Sequence, residues 1–320
     1  MTALDLVSPE NIREAARGLE GVAVRTPLLS MPRLAEIAGV PVFLKMESRQ
    51  PTGAFKLRGA WTALRRLPPD ARARGVITYS SGNHGQALAF AAQRMGVRAV
   101  VVMPETAPAA KVEGVRRWAG EVVFAGRTSE DRLAKAEALS QEQGLTVIPP
   151  FDHPDIIAGQ ATAGLEIVEQ LPEVEEVAAP VGGGGLAAGI AAAIAAFKPS
   201  VRLTTVEPVG SAALAAALAA GRIVRLERTA SVADGLLPLA VGALPFAHLH
   251  GRAQPVTVSE AAIVEATRWL YLDQKLLVEP SGAVTTAALR SRAFVPRGPT
   301  VLVVSGGNVD PAAVERLSAA

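Results

Sequence analysis

The hydrophobic positions of the chain fall into short apolar runs that alternate with longer segments of helical spacing. Runs that are apolar almost throughout are typical of parallel strands covered by helices on both faces. The predicted strands are 42–46, 76–79, 99–103, 121–124, 146–148, 176–181, 202–206 and 300–304. Persistent alternation of strand and helix predicts an α/β protein with mostly parallel, open sheets.

The segments between the strands have helical periodicity. The predicted helices are 9–19, 57–67, 83–95, 109–119, 129–143, 156–171, 185–197, 211–220, 260–273 and 281–291. The first opens on Ser8 and Pro9, a capping residue followed by a proline in the first turn. The stretch 221–255 is rich in proline and glycine, and no element is predicted there.

Composition narrows the function classes. The 320 residues suffice for two domains or one large α/β unit. The formal net charge is only +2, and no block of five or six like charges occurs. We therefore expect no nucleic-acid partner. The absence of cysteine excludes disulfides and thiolate sites and fits a cytoplasmic location. The longest apolar run, 186–197, is too short to cross a membrane, so no membrane partner is expected.

One lysine has unusual neighbours. The chain contains six lysines: Lys45, Lys56, Lys111, Lys135, Lys198 and Lys275. Only Lys56 has glycines close on both sides, in the stretch 50–60, where an apolar strand gives way to a helix. Such surroundings suit a lysine that is partly desolvated and bonded to a flat cofactor. We hypothesise that Lys56 carries pyridoxal phosphate as a Schiff base.

Three further loops follow strands at the carboxyl edge, where open α/β sheets bind ligands. Gly182–Gly185 lets backbone N–H groups converge at a helix start, which indicates a phosphate cradle. Ser80–Gly85 offers hydroxyl and N–H groups that suit a carboxylate. Ser305–Asn308 ends the last strand, where a serine hydroxyl can face a ring nitrogen.

The residues alone leave two other function classes open. Gly182, Gly184 and Ala187, with Glu207 ending the next strand, loosely fit a dinucleotide fingerprint. A nicotinamide-dependent oxidoreductase of that kind would give Lys56 no role. A cofactor-free binding protein would lose nothing when Lys56 is replaced.

Taken together, these stretches resemble the threonine dehydratase and serine racemase family of fold-type II pyridoxal-phosphate enzymes. The resemblance rests on 51–60, 80–87, 104–108, 157–160, 180–185, 233–235 and 305–310, in the family's order. It implies a fold like that of tryptophan synthase β, with two open α/β domains. Residues 1–74 and 149–320 would form the large cofactor-binding domain, and 75–148 the small inserted domain. It further implies a homodimer or higher homo-oligomer.

The resemblance also assigns roles to individual residues. Lys56 matches the Schiff-base lysine, which also removes the α-proton, and Ser81 matches a second acid/base on the opposite face of the cofactor. Asn83 matches the residue at the cofactor's phenolic oxygen, and Ser305 the partner of its pyridine nitrogen. The positions matching the phosphate loop are Gly182, Gly183, Gly184, Gly185 and Leu186. The positions matching the substrate-carboxylate site are Ser80, Ser81, Gly82, Asn83 and His84.

The activity implied is a lyase of amino-acid metabolism, an L-threonine/L-serine dehydratase (ammonia-lyase) that forms a 2-oxo acid and ammonia by α,β-elimination. Phe151 matches the dehydratase pattern, whereas Ser81 keeps a serine racemase open, as is a dehydratase of another β-hydroxy amino acid such as hydroxyaspartate. Family members often bind a divalent cation through an acid at the position of Glu207 and another six residues on. That second position is Ala213 here, which argues against a complete metal site.

Overall fold

The computed structural model describes residues 6–80 and 82–317. Its strands, in chain order, are β1 (Leu28–Ser30), β2 (Val42–Met46), β3 (Val76–Tyr79), β4 (Ala99–Met103), β5 (Glu121–Phe124), β6 (Thr146–Val147), β7 (Glu176–Pro180), β8 (Arg202–Pro208), β9 (Ala253–Val258) and β10 (Thr300–Val304).

The helices cover both faces of the sheets. They are α1 (Pro9–Leu19), α2 (Pro32–Ala38), α3 (Lys56–Arg66), α4 (Pro69–Arg74), α5 (Asn83–Met95), α6 (Ala109–Arg116), α7 (Ser129–Gln143), α8 (Pro154–Gln170), α9 (Gly185–Phe197), α10 (Ala213–Ala220), α11 (Ala243–Leu249), α12 (Glu260–Leu272), α13 (Pro280–Arg290) and α14 (Pro311–Arg316). Short 3-10 turns occupy Glu47–Arg49, Val209–Ser211 and Asp234–Leu236.

The strands form two sheets. The larger has six strands in the order β1-β2-β10-β7-β8-β9, all parallel except β1, which runs antiparallel to β2. The smaller has four parallel strands in the order β5-β4-β3-β6. The predicted α/β class with mostly parallel sheets is confirmed. All strands of the smaller sheet lie within 75–148, but the division into domains stays a prediction.

The inner strands of both sheets and the edge strands of the smaller sheet match the sequence prediction closely, whereas the edge strands of the larger sheet do not. Sequence patterns miss β1, α2, α4, β9, α11 and α14. Strand β9 is an edge strand that contains Pro255 and is only partly buried, so it lacks a continuous apolar run. Helix α11 spans seven residues and contains Pro245, which hides its periodicity in the stretch 221–255.

Small residues let the helices of the larger sheet approach closely. Helices α8 and α9 pack against each other, and a Cβ added at Gly164 would lie 2.7 Å from the Cβ of Ala193. A Cβ at Gly189 would lie 2.5 Å from the backbone nitrogen of Ala161. The alanine-rich, aromatic-poor composition therefore reflects tight helix packing. Among residues 6–80 and 82–317, no helix combines the length and hydrophobicity that a bilayer crossing needs.

Candidate active site

Lys56 begins helix α3, directly beyond the end of strand β10. The backbone N–H of Phe55 donates to the carbonyl oxygen of Ser305 at 3.0 Å, and Ala54 bridges to Gly306. The Lys56 Nζ donates to the carbonyl oxygen of Pro150 at 2.6 Å. Burial lowers the pKa of Lys56 to about 8. An amine that titrates this close to neutrality can serve as a nucleophile or a base.

A buried ion network fastens the first turn of α3. The guanidinium of Arg58 contacts Glu47 through two hydrogen bonds of 2.8 Å. It also contacts Glu166 on α8 through bonds of 2.7 and 2.9 Å. Lys45 contributes a second cation, with its Nζ 2.5 Å from Glu166 and 2.8 Å from the Gln170 side chain. The two cations of this network equal its two carboxylates in number. Glu47 and Glu166 contact Arg58 from two elements and so fix the start of the helix that carries Lys56.

The pKa shifts in this network show how the charges support each other. Burial by itself would lower the pKa of Arg58, but Glu47 and Glu166 outweigh it and raise that pKa above its ordinary value. Burial would raise the pKa of Glu47, but Arg58 and Lys45 outweigh it and keep it below its ordinary value. Because each charge depends on its partner, losing one leaves a buried ion unpaired.

The glycine loop is closely packed by its neighbours. A Cβ at Gly183 would lie 2.2 Å from the Phe151 ring, and one at Gly182 would lie 3.0 Å from the carbonyl oxygen of Gly235. The Gly183 carbonyl accepts a hydrogen bond of 3.1 Å from the N–H of Gly242, and the Gly184 carbonyl one of 2.8 Å from Ala188. The first N–H groups of α9 have no intrahelical partner and carry partial positive charge. This arrangement fits a phosphate cradle.

Gly184 is the glycine of the cradle at which an added side chain meets both an unfavourable backbone conformation and a close neighbour. Its φ is +93°, and a Cβ there would lie 2.7 Å from the Cβ of Pro245. Gly221 is a matched control, since its φ is +64° and nothing lies within 4 Å of its added Cβ. Both alanine variants carry the left-handed strain, so Gly184→Ala should lose about 1–3 kcal/mol more in free energy of unfolding from overpacking.

Urea-induced unfolding of both variants measures that difference, and the retained pyridoxal phosphate per chain measures the cradle. We expect Gly184→Ala to lose cofactor and Gly221→Ala to keep it. Equal stability and equal cofactor content in the two variants would contradict the assignment of this loop.

The polar loop between β3 and α5 lies close to Lys56. The N–H of Gly82 donates to the hydroxyl of Ser80 at 3.2 Å, and α5 begins at Asn83. His84 is buried, with Nε2 3.2 Å from the carbonyl oxygen of Ile148. Burial, reinforced by the charge of Lys56, lowers the pKa of His84 to about 3, so its ring is neutral. Ser81, the predicted second acid/base, lies outside the described residues.

The Asn83 side chain is held by two groups from the larger sheet. Its Nδ2 donates to Glu279 Oε1 at 2.7 Å, and its Oδ1 accepts from Asn308 Nδ2 at 2.8 Å. No sequence motif marks Glu279 as a site residue. Its position in the sequence is nevertheless unusual, because the residue before a helix is preferentially serine, threonine, aspartate or asparagine. In the structure Glu279 precedes α13 and makes no capping hydrogen bond with its side chain.

Ser305 is buried at the end of β10, as the sequence predicts. Its hydroxyl lies 3.4 Å from the carbonyl oxygen of Ser281. The Ser281 hydroxyl in turn accepts the N–H of Gly235 at 2.9 Å. Nearby, Lys111 on α6 forms an ion pair with Asp234, and a Cβ at Gly82 would lie 3.7 Å from the Lys111 Nζ. A cation therefore stands beside the loop predicted to bind a carboxylate, another contact that sequence analysis misses.

Glu207 lies apart from these contacts. Its two carboxylate oxygens accept N–H groups of Leu214 and Ala215, at 2.8 and 2.9 Å, near the start of α10. Burial raises the pKa of Glu207 to about 7 despite these bonds. Within the described part of the chain, no group of three or more His, Cys, Asp or Glu side chains is arranged to hold a metal ion. The expectation that Ala213 leaves any cation site at Glu207 incomplete stays a prediction.

The assembled residues fit pyridoxal phosphate. They provide a partly covered amine, a glycine cradle and a buried serine at a strand end. Two buried polar atoms in the segments around Lys56, the Thr52 hydroxyl and Nδ1 of His84, have no hydrogen-bond partner among the described residues. Such atoms are expected where a polar ligand completes a site.

Comparison with known proteins agrees with this chemistry. The family model "Pyridoxal-phosphate dependent enzyme" matches residues 19–306. The chain is 37% identical to an L-threonine ammonia-lyase of Thermotoga maritima over 313 residues, covering 98% of this chain and 78% of that protein. It is 39% identical to an L-threo-3-hydroxyaspartate ammonia-lyase of Pseudomonas sp over 309 residues, covering 96% and 97%. The structure of maize serine racemase superimposes with a TM-score of 0.93 at 35% identity, covering 98% and 97%.

Proposed function

The chain belongs to the pyridoxal-phosphate dependent enzymes, and on this premise we propose that it is an ammonia-lyase acting on L-threonine and L-serine. The fold is that of the fold-type II members of the family. The observation that carries the proposal is the setting of Lys56, whose amine, with a pKa of about 8, contacts Pro150 while Phe151 packs on the glycine loop. The homo-oligomer, the cytoplasmic location and the two-domain division stay predictions.

Each predicted residue then has a task. Lys56 would hold the cofactor covalently, and its free Nζ would take the proton from the substrate Cα. The N–H groups of 182–186 would hold the phosphate, with Asn83 and Ser305 at the ring substituents. The loop 80–84 would hold the substrate carboxylate. When bound, pyridoxal phosphate supplies an electron sink for the charge that develops at Cα.

Elimination is favoured over racemisation by the residue at position 151. The Phe151 ring packs against Gly183 and its backbone against Gly185, so this position contributes an apolar surface to the cradle. A phenylalanine at this position is what the resemblance to the dehydratases predicts. Loss of the β-hydroxyl as water, followed by hydrolysis of the product, yields a 2-oxo acid and ammonia. Nitrogen leaves as ammonia, and the net reaction consumes no further reactant.

Two alternatives within the family have specific support. The similarity to maize serine racemase and the residue Ser81 support racemisation. The similarity to the Pseudomonas ammonia-lyase supports 3-hydroxyaspartate as substrate. Both would use the same lysine and the same glycine loop. They differ only in product and in the side chain that the site accepts.

Product analysis separates these activities. The enzyme supplied with pyridoxal phosphate should form 2-oxobutanoate from L-threonine and pyruvate from L-serine, with D-serine as a minor product. We expect kcat/KM for elimination from L-threonine to exceed that for D-serine formation. A faster formation of D-serine, or a higher kcat/KM for L-threo-3-hydroxyaspartate than for L-threonine, would contradict the proposed substrate.

A further inference from the structure

The amide of Asn83 has a defined orientation. Its oxygen accepts from Asn308 Nδ2 at 2.8 Å, and that same nitrogen also donates to the carbonyl oxygen of Thr52 at 2.8 Å. The Asn83 nitrogen donates to Glu279 at 2.7 Å. An amide nitrogen carries two hydrogens, so one N–H of Asn83 remains after the bond to Glu279 is made.

Glu279 is built into the site rather than placed on a surface. The residue is 6% exposed, and its Oε1 lies 2.2 Å from where a Cβ on Gly306 would stand. Only a glycine beside Ser305 leaves room for this carboxylate. Glu279 precedes α13 of the larger sheet, whereas Asn83 starts α5 of the smaller sheet. The hydrogen bond between them therefore joins elements of the two sheets at the cofactor site.

The groups that face Glu279 come from several elements. Asp234 approaches from a 3-10 turn, Lys111 from α6, Asn83 from α5, and the N–H of Asn308 from the segment after β10. Burial raises the pKa of Glu279 to about 7, and Asp234 raises it as well, while the bond from Asn83 and the charge of Lys111 oppose the shift. The two nearest partners, Asn83 and Asn308, both present N–H donors.

We propose that Glu279 is a positioning residue that fixes the Asn83 amide, so that its remaining N–H is available to the phenolic oxygen of pyridoxal phosphate. The inference rests on the proposed function, because the role of Asn83 comes from the family resemblance. An ionised carboxylate only accepts hydrogen bonds, so it holds the nitrogen of the amide and not its oxygen. Asn308 fixes the same orientation from the other side, because its Nδ2 donates to the Asn83 oxygen.

Protonation of Glu279 should weaken its hydrogen bond with Asn83 and free the Asn83 amide to change orientation. A carboxylic acid must place its own proton, and the two groups that hydrogen-bond to Glu279, Asn83 and the N–H of Asn308, are both donors. Above about pH 7 the carboxylate is ionised and the amide is fixed, and below that pH the orientation is lost. Since the Asn83 N–H would lie at the phenolic oxygen, the visible absorption of the bound cofactor should report the change.

The test uses the enzyme loaded with pyridoxal phosphate, with Glu279→Gln as the variant. Glutamine has the same shape but brings an NH2 group toward the two donors, so it mimics the protonated state at every pH. Wild-type protein should show a spectral titration near pH 7 between pH 5.5 and 9. Glu279→Gln should keep the low-pH spectrum throughout, with a cofactor Kd about 10-fold higher, as expected for one lost hydrogen bond to a charged group.

Glu176→Gln is the matched control. Glu176 is also buried, but it lies at the amino-terminal end of β7, away from the carboxyl ends of the strands, and it pairs with Arg202 at 2.9 Å. This variant should titrate like wild type and keep its cofactor Kd within twofold. Glu279→Asp retains an acceptor-only group and should still titrate, so it decides the question if Glu279→Gln does not fold.

The inference is overturned if a folded Glu279→Gln shows the wild-type titration and a cofactor Kd within twofold of wild type. It is equally overturned if Glu279→Asp loses the titration while remaining folded and loaded. Failure of the proposed function looks different. In that case wild-type protein itself would show no visible band with cofactor supplied and would form no 2-oxo acid.

Discussion

Replacing Lys56 with alanine is expected to lower kcat for L-threonine about 10⁴-fold, the upper end of what a positioned general base contributes. The variant loses both the covalent anchor of the cofactor and the base at Cα. Lys56→Arg keeps the positive charge, but a guanidinium does not deprotonate at accessible pH, so this variant should be as inactive as alanine. Initial rates of 2-oxobutanoate formation measure both effects.

Lys135 provides the control for this experiment. It is an exposed lysine on α7, and Lys135→Ala should leave kcat and KM unchanged. A Lys56→Ala variant that keeps more than a tenth of the wild-type kcat would contradict the role of Lys56. Such a result would mean that a group other than Lys56 takes the proton from the substrate Cα.

Replacing Arg58 with methionine is expected to lower the free energy of unfolding by about 3–5 kcal/mol. The substitution leaves Glu47 and Glu166 facing each other without the guanidinium that both contact at 2.7–2.9 Å. Without Arg58, burial should raise the pKa of Glu47, so the loss should shrink at acid pH as that carboxyl takes up a proton. Urea-induced unfolding at pH 7 and at pH 5 measures both expectations.

Two comparisons test whether charge pairing explains the loss. Arg74→Ala removes an exposed arginine that pairs with Asp70 on the same helix, and it should cost about 0.5 kcal/mol or less. The double variant Arg58→Met/Glu47→Gln leaves Lys45 paired with Glu166, so its loss should be smaller than the sum of the single losses. A cost below about 1 kcal/mol for Arg58→Met would show that the network does not hold α3.

Most of the larger sheet could be predicted from the sequence because its inner strands are buried on both faces. Strands β2 and β10 are mostly apolar, with Lys45 and Thr300 as their polar residues, and they appear with the predicted bounds. The edge strands β1 and β9 escape prediction because half-buried residues and Pro255 interrupt their patterns. An apolar run predicts a strand only where the residues themselves are apolar, as in the edge strand β5, and the three-residue β1 and the polar residues of β9 give no such run.

The site was predictable where a loop carries its own signal. The glycines at 182–185 and the flanks of Lys56 mark close backbone approaches that can be read locally. Local sequence marks Glu279 only as an unusual residue at a helix start, and it does not show the bond to Asn83, which joins positions 196 residues apart. The partners of Arg58 are equally distant, with Glu166 separated from it by 108 residues. The packing of the helices decides which charged side chains meet, and the sequence around each residue does not show it.

The central claim is that Lys56 carries the cofactor, and chemical trapping tests it most directly. Purified protein supplied with pyridoxal phosphate is reduced with borohydride, digested, and the phosphopyridoxyl-labelled peptide is identified by mass spectrometry. A Schiff base on Lys56 should give a single label on Lys56, within residues 50–60, and no label in Lys56→Ala. A label on another lysine, or no label and no visible band with cofactor present, would contradict it.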